Sequence, residues 1–479
     1  MGHLFGTDGV RGRAGSYPLD APTIRRLGAA LARALSHRDQ NVRFLAGRDT
    51  RESGSWIERE LAFGIASQQG VLTSAGVIPT PAVAYLTPRM GYTAGVVISA
   101  SHNPFEDNGI KVFSGAGEKF TEALERHVES IMADSSWDVP GPAAAGAGAD
   151  PGRPVEHIDY RTEYISHLSR ILPPDTRKTG MRVAIDCANG ATTTIAPRLV
   201  QELGFEARCI GCEPDGRNIN LGVGSTAPEL LARTVVDGGY RLGIAYDGDG
   251  DRAIFVDASG SIVDGDAVML MCAKQMKAEA RLKGGAVVAT VMSNIGLEIA
   301  LRASGIDLVR CAVGDKYVME EMIRRGLALG GEQSGHVIFS EYLFTGDGLA
   351  TSLNVLRTMA VTGRELCDLA AQLTTYPQVL LNQRVERKVD LGTIPEVAEV
   401  IASVESRLAG TGRLLVRYSG TEPLLRVMLE GQNEDDIRRW GREIIDAVKK
   451  HVRSQNLNPN SQAPDFESRN PNPQSRRNE

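Results

Sequence analysis

"GVVISASHNPFEDNGIKVFS" (residues 95–114) opens as a buried strand, with Val96, Val97 and Ile98, and then breaks off into Ser99, Ala100, Ser101, His102, Asn103 and Pro104. Serine, asparagine, proline and glycine make turns for backbone reasons of their own, so a plain loop is one reading. In open α/β sheets, however, ligands bind outside the carboxyl ends of the strands. On that second reading the strand aims two serines, a histidine and an asparagine at a cleft. The rest of the chain decides between them.

Outward from this stretch, helix and strand patterns alternate, which predicts α/β architecture. Residues 23–35 carry Ile24, Leu27, Leu31 and Leu35 at helical spacing, entered through Asp20 and Pro22. Strand-like runs are "VRFLAG" (42–47), "GVVISA" (95–100), "MRVAID" (181–186), "LGIAY" (242–246), "GAVVAT" (285–290) and "GRLLVRY" (412–418). Short apolar runs of this kind suit sheets covered on both faces. "AGVVISASHNP", "LGIAYDGDGDR" and "LALGGEQSGH" each pass from an apolar stretch into a small, polar loop, roughly one domain-length apart. Three related units presenting loops to one cleft would produce that loose repeat. The C-terminal part differs, ending in a helix that turns Ile437, Trp440, Ile444, Ile445 and Val448 inward.

The 479 residues suggest about three or four domains. The Pro-, Ala- and Gly-rich stretch 139–154 and the start of a new strand pattern at 377–389 mark two boundaries, and a third follows the hairpin ending near Asp257. The expected domains are therefore 1–150, 151–257, 258–372 and 373–453. Residues 454–479, rich in Asn, Pro and Ser, are expected to be a disordered and dispensable tail.

Apolar content of 42% and charged content of 23% are those of a soluble globular protein. A net charge of −6 without a Lys/Arg block argues against a nucleic-acid partner, while leaving room for a small anionic substrate. No signal peptide opens the chain and no apolar run approaches the ~20 residues of a membrane span, so neither membrane nor export is expected. Of six cysteines only Cys209 and Cys212 form a CxxC, with no second pair to complete a zinc site. The expected compartment is the cytoplasm.

"DGDGDR" (247–252) alternates Asp247, Asp249 and Asp251 with glycine, which in extended backbone points all three carboxylates to one side. Such carboxylates repel unless a cation sits among them, and oxygen-only donors favour a hard ion such as Mg²⁺. The competing reading is a hairpin turn, because Asp-Gly is a strong turn signal. An EF-hand is excluded, since Arg252 and Ala258 stand where that loop needs Gly and Glu. "RYSGTEPLLR" (417–426) places Arg417, Ser419, Gly420 and Thr421 in one tight loop, with Arg426 beyond it, a set suited to phosphate. "GGEQSGH" (330–336) offers Glu332, Ser334 and His336 at alternate positions, able to hydrogen-bond sugar hydroxyls if the segment is extended. "FGTDGVRG" (5–12) carries Arg11 in a glycine-rich turn. The nucleotide-binding devices GxxxxGK[ST] and GxGxxG are missing, as are HExxH and GxSxG.

Taken together and in this order, "FGTDGVRG", "ISASHNPFEDNGIK", "DGDGDR", "GEQSGH" and "RYSGTEP" resemble the α-D-phosphohexomutase superfamily along the whole chain except the tail. Within it, "FGTDGVRG" and Gln333 are similar to the bacterial phosphoglucosamine-mutase family, whereas phosphomannomutase/phosphoglucomutase relatives more often have methionine at the position of Gln333. The resemblance implies four domains around a central cleft, three related α/β units with mixed sheets and a C-terminal TATA-binding-protein-like α+β domain. It implies an isomerase that passes a phosphoryl group through a phosphoserine at Ser101, not Ser99. The Ser101 phosphate and Asp247, Asp249 and Asp251 would hold one Mg²⁺. Glu332, Ser334 and His336 would meet the sugar, and Arg417, Ser419, Gly420, Thr421 and Arg426 its phosphate. Arg11, His102, Lys111 and Arg252 are carried over as cleft residues that assist transfer, with Lys111 or His102 as proton shuttle. A sugar bisphosphate would serve as activator, with a priming kinase or that bisphosphate charging Ser101, in a monomer or homodimer. The implied reaction is glucosamine 6-phosphate to glucosamine 1-phosphate for UDP-N-acetylglucosamine synthesis, the alternative being mannose or glucose phosphates. One departure is Lys316 in "VGDKYV", where phosphoglucosamine mutases commonly show arginine: the charge survives without the bidentate fork.

Overall fold

Ala94, Val96 and Ile98 pack into one apolar layer, against the helices Ala21–Leu35 and Gly54–Ala66, while Val97 packs into another on the opposite side of the same strand. A strand buried on both faces must sit inside a sheet, and the computed structural model places it there. The structure describes residues 3–6, 8–36, 42–139, 155–172, 174, 180–419 and 423–454. Apart from Val139 and Ser454, the expected linker and tail therefore lie outside the described residues.

The first sheet comprises β1 (Val10–Arg13), β2 (Arg43–Arg48), β3 (Val71–Val77), β4 (Ala94–Ile98), β5 (Asp107–Ser114) and β6 (Glu156–His157), in the order β1-β5-β4-β2-β3-β6. The second comprises β7 (Arg182–Asp186), β8 (Glu206–Ile210), β9 (Leu242–Tyr246), β10 (Ala253–Asp257) and β11 (Ile262–Val263), ordered β11-β10-β9-β7-β8. The third comprises β12 (Ala286–Thr290), β13 (Asp307–Cys311), β14 (Leu329–Gly331) and β15 (Val337–Phe339), ordered β13-β12-β14-β15.

The three sheets share one plan. Strands β2, β7 and β12 each run parallel to a neighbour on either side (β3 and β4, β8 and β9, β13 and β14). An antiparallel return strand then closes each set: β5 on β4, β10 on β9, β15 on β14. The three polar loops that the sequence repeats are the connections into those return strands. One apolar cluster runs through all three sheets, joining Val97 and Phe113 to Val183 and Ile185 and to Val287 and Ala289. Each such buried Val, Ile or Phe side chain contributes ~1.5–3 kcal/mol relative to exposure.

Two short strands cross the expected boundaries. Strand β6 pairs with β3 although it lies beyond residue 150, and β11 pairs with β10 although it lies beyond residue 257. Two-residue strands carry no periodicity, so their pairing partner alone decides where they belong. The helix expected over 23–35 spans Ala21–Leu35, with the Asp20 side chain accepting from Thr23 N–H at 3.0 Å as its cap.

The chain divides into two compact units, one to Thr374 and one from Thr375. The second is a small antiparallel sheet of β16 (Gln378–Arg384), β17 (Arg413–Tyr418) and β18 (Leu424–Glu430), ordered β16-β18-β17. The helices Pro395–Leu408 and Glu434–Ser454 supply its core, with Ile437, Ile444, Ile445 and Val448 buried and Trp440 packed at the edge. Among the described residues no helix is long and apolar enough to cross a membrane.

Candidate active site

Strand β4 ends at Ile98, two residues earlier than its apolar run, and Ser101 follows in a turn with φ +53°. Left-handed backbone at a serine is sterically unfavourable and is kept only where surrounding contacts enforce it. Here it points the buried Ser101 hydroxyl at the β9–β10 loop, where it donates to Asp247 Oδ2. His102 is half-buried, with Nδ1 3.4 Å from the Ser101 hydroxyl oxygen. Burial, Arg252 and Arg11 hold the His102 pKa below its ordinary value, outweighing Asp251 and Asp249.

The aspartate loop corrects one expectation. Residues 247–252 are not extended: they form the turn of the β9–β10 hairpin, with Gly250 at φ +74°. Turn and cluster are not alternatives, because the turn itself gathers the carboxylates. One oxygen from each of Asp247, Asp249 and Asp251 lies within 4.8 Å of the others. All three residues are buried. Lys111, on β5, donates from Nζ to Asp249 Oδ2 at 2.8 Å and Asp251 Oδ2 at 3.2 Å, and pairs with Asp8 Oδ2 at 3.0 Å. Thr80 adds a 2.6 Å hydrogen bond to Asp249 Oδ2.

The electrostatics follow from this packing. Burial, then Asp251 and Asp249, push the Asp247 carboxyl well above the usual range. Burial also acts against ionised Asp249, but the charge and hydrogen bond of Lys111 and the hydrogen bond of Thr80 hold it below that range. Burial would lower Lys111, yet Asp249, Asp8 and Asp251 raise it well above its ordinary value. Asp249 Oδ1 and Asp251 Oδ1 are buried without a hydrogen-bond partner, and Arg252 Nε lies 3.8 Å from the latter. Oxygen-only donors, close convergence and orphaned carboxylate oxygens fit a hard divalent cation.

Arg11 is not in a turn. Gly6 and Gly9 bridge each other ahead of it, and Arg11 lies on β1 opposite Gly109 of β5. Gly9 makes this possible, since a Cβ there would come within 2.3 Å of the Ile110 carbonyl oxygen. The Arg11 side chain pairs with Asp8. Arg252 donates its backbone N–H to Asp247 Oδ1 at 3.2 Å and bridges to His336.

The third loop, between β14 and β15, is also a turn, with Gly335 at φ +91°, so Glu332, Ser334 and His336 do not share a side by alternation. Glu332 accepts from Gly314 N–H and from the exposed Ser334 hydroxyl, each at 3.2 Å. His336 is buried, its Nε2 accepting from Gly346 N–H at 3.2 Å and lying 3.4 Å from Asp315 Oδ2. Asp315 in turn pairs with Lys119, which reaches Asp8 at 2.5 Å. Lys316, where the resemblance implies an arginine, donates from Nζ to Glu125 Oε2 at 2.7 Å. Gln333 donates to Asp264 at 3.0 Å, a bond that methionine could not make.

The second unit carries Arg417 on β17, exposed, opposite Arg426 on β18. Ser419 is buried and donates its N–H to Leu424 O at 2.8 Å. Gly420 and Thr421 lie outside the described residues.

Sequence reasoning passed over Asp8, Thr80, Lys119 and Asp315, which complete the charge network, and Asp49, Arg51 and Asn220, which hold the Ser101 turn. Asp49 and Arg51 had a usable signal: they follow the carboxyl end of β2, the strand parallel to β4. Asp8 and Asp315 sit inside "FGTDGVRG" and "VGDKYV", whereas Thr80, Lys119 and Asn220 lie where neither periodicity nor motif marks them.

Residues 2–138, 162–260 and 264–376 match the α/β/α domains I, II and III of phosphoglucomutase/phosphomannomutase, and residues 380–447 match its C-terminal domain. The chain is 46% identical over 450 residues to a phosphoglucosamine mutase of Syntrophotalea carbinolica, covering 94% of this chain and 98% of that protein. It is 47% identical over 449 residues to a phosphoglucosamine mutase of Solibacter usitatus, covering 94% and 99%. In fold it resembles a phosphoglucomutase/phosphomannomutase family protein of Burkholderia thailandensis, with a TM-score of 0.76 at 22% identity over 96% of this chain and 98% of that one. With its site loops at the same turn of three like sheets and its relatives matched over nearly their whole length, the chain belongs to the phosphoglucomutase/phosphomannomutase family and, within it, with the phosphoglucosamine mutases.

Proposed function

We propose that the chain interconverts glucosamine 6-phosphate and glucosamine 1-phosphate through a phosphoserine at Ser101. The observation that carries this reading is the buried Ser101 hydroxyl, held in left-handed backbone and bonded to Asp247 within the aspartate cluster. A serine hydroxyl so enclosed is a poor nucleophile toward free phosphate and a good resting place for a stored phosphoryl group.

In the forward direction, phosphoserine gives its phosphoryl group to the sugar O1, the O1–P bond forming as the Ser101 Oγ–P bond breaks. The O1 proton passes to a base beside Ser101, a role assigned to His102, whose Nδ1 lies 3.4 Å from Ser101 Oγ. Lys111 is engaged with three carboxylates and serves by its charge. The resulting 1,6-bisphosphate turns over and its 6-phosphoryl group returns to Ser101, leaving glucosamine 1-phosphate and a protonated O6. Free sugar bisphosphate would recharge an enzyme that has lost its phosphate.

Phosphoryl transfer depends on positioning and charge neutralisation. Asp247, Asp249 and Asp251 would hold a Mg²⁺ ion with Ser101, and when bound it supplies positive charge against the phosphate oxygens. Arg11 and Arg252 border the same loop and add fixed positive charge. Glu332 and Ser334 are assigned to the sugar, and Arg417, Ser419, Gly420, Thr421 and Arg426 to its distal phosphate. His336, whose Nε2 accepts from Gly346 N–H, is assigned to the sugar with Glu332 and Ser334. Glucosamine offers an ammonium at position 2, which a carboxylate such as Glu332 suits. Six free thiols fit a reducing cytoplasm, where nucleotide-sugar precursors are made.

The test is kcat/KM for the 6-phosphates of glucosamine, glucose and mannose under identical Mg²⁺ and bisphosphate. Glucosamine 6-phosphate is expected to lead. A tenfold advantage for glucose or mannose, about 1.4 kcal/mol of transition-state preference, would reassign the chain to the phosphomannomutase/phosphoglucomutase reading.

A further inference from the structure

The turn that presents Ser101 is held by a cation that the reaction does not consume. Arg51 is 1% exposed, and an arginine is rarely buried so far unless its donors are taken. Its Nε donates to Asp49 Oδ2 at 2.9 Å. Its terminal nitrogens donate to the carbonyl oxygens of Ser101 at 3.0 Å, Asn103 at 2.8 Å and Pro104. Three carbonyls of one turn are thereby drawn onto one planar fork.

Asp49 closes the arrangement. It accepts the Arg51 backbone N–H at 2.9 Å and the Ser99 hydroxyl at 2.5 Å. The Ser99 oxygen then accepts the N–H of Ser101 at 2.9 Å. The peptide groups on both sides of the Ser101 Cα are therefore tied to the same ion pair, one through its carbonyl and one through its N–H. From the far side, Asn220 Nδ2 donates to the Ser101 carbonyl at 2.9 Å and the Asn103 carbonyl at 3.2 Å.

Such bracing has a physical purpose. Left-handed backbone at a non-glycine residue is sterically costly. Convergent carbonyls beside an aspartate cluster add repulsion, which a phosphate on Ser101 would increase. Without a neutralising fork the turn relaxes toward negative φ and swings the hydroxyl away from Asp247. A lysine could supply the charge but not the planar set of donors. We propose that Arg51, braced by Asp49 and Ser99, is a positioning residue that fixes the phosphoryl-carrying Ser101 over the aspartate loop, a role that rests on the phosphoserine reading above.

The experiment compares full-length wild type with Arg51→Lys and Asn220→Ala, each treated with glucose 1,6-bisphosphate. The readouts are kcat and KM for glucosamine 6-phosphate, the phosphorus NMR resonance of the phosphoserine, and the melting temperature. For Arg51→Lys, kcat should fall at least ~tenfold while KM stays within about threefold, the split expected when geometry at the reacting atom is lost and binding is kept. The phosphoserine resonance should shift or broaden. Asn220→Ala, half-buried and bonded to two of the same carbonyls, should give the same split at smaller amplitude, and it carries the test alone if Arg51→Lys does not fold. Wild-type kcat and an unmoved resonance in the folded variants would overturn the proposal while leaving the mutase reading intact. A wild type without phosphoserine and without mutase turnover would overturn that reading itself.

Discussion

At the scale of single residues, the glycines of "DGDGDR" explain why the aspartates can reach Ser101. A Cβ on Gly248 would come within 2.5 Å of the Ser101 carbonyl oxygen and 2.9 Å of Asn220 Nδ2, so the two loops touch only because that atom is missing. Gly248→Ala should push them apart while leaving both sheets intact. Turnover is expected to fall about a hundredfold, the effect of a ~1 Å displacement at a reacting centre, with unchanged far-ultraviolet circular dichroism. Wild-type turnover in this variant would mean that the close approach is not needed. Much of this was legible: three carboxylates on a Gly-rich turn announce themselves by composition. Arg51 was not, because a buried arginine looks in sequence like any surface arginine until the carbonyls that take its donors are seen.

At the scale of elements, the short helix Arg161–Leu168 ties the first and third sheets' neighbourhoods together. Tyr164 donates to Asp347 Oδ2 at 2.7 Å, and His167 stacks on Tyr85 with ring centroids 4.0 Å apart. Asp347 also caps the helix Gly348–Thr362 by accepting from Ala350 N–H at 2.9 Å, and burial raises its pKa to about 6. Asp347→Ala removes the cap and orphans the buried Tyr164 hydroxyl, so urea titration should show a loss of about 2–4 kcal/mol. A loss below the value of an ordinary surface cap would show that Tyr164 finds another partner. Burial, Arg170 and Arg89 lower the His167 pKa from 6.5 to about 4. Between those values the unfolded chain binds a proton that the folded chain does not, so stability rises with pH across the window and is lost as pH falls. Relative to His167→Phe, wild type should therefore weaken from pH 6.5 to 4.5; parallel profiles would contradict the assignment. The helices and long strands were readable from periodicity. Strands β6 and β11 were not, since two residues define no period and only a neighbouring edge makes them strands.

At the scale of the whole molecule, the shared strand order of the three sheets turns a faint sequence repeat into a structural rule: each polar loop enters the antiparallel return strand of its sheet. The apolar cluster common to all three fixes the sheets against one another, and Lys119 with Asp315 and Lys316 with Glu125 add ionic ties between the first and third. That frame brings Ser101, Lys111 and Asp247–Asp251 together from segments up to 150 residues apart. Motif order identified these segments as belonging together, but only the packed frame supplies the distances that make them one site. The central claim is that this frame exists to hold a phosphoryl group on Ser101. Peptide mapping by mass spectrometry of protein treated with glucose 1,6-bisphosphate tests it most directly. Phosphate confined to Ser101, discharged by adding glucosamine 6-phosphate, is the predicted result. A fully active protein whose Ser101 peptide carries no phosphate, or whose Ser101→Ala variant turns over at the wild-type rate, would contradict the account.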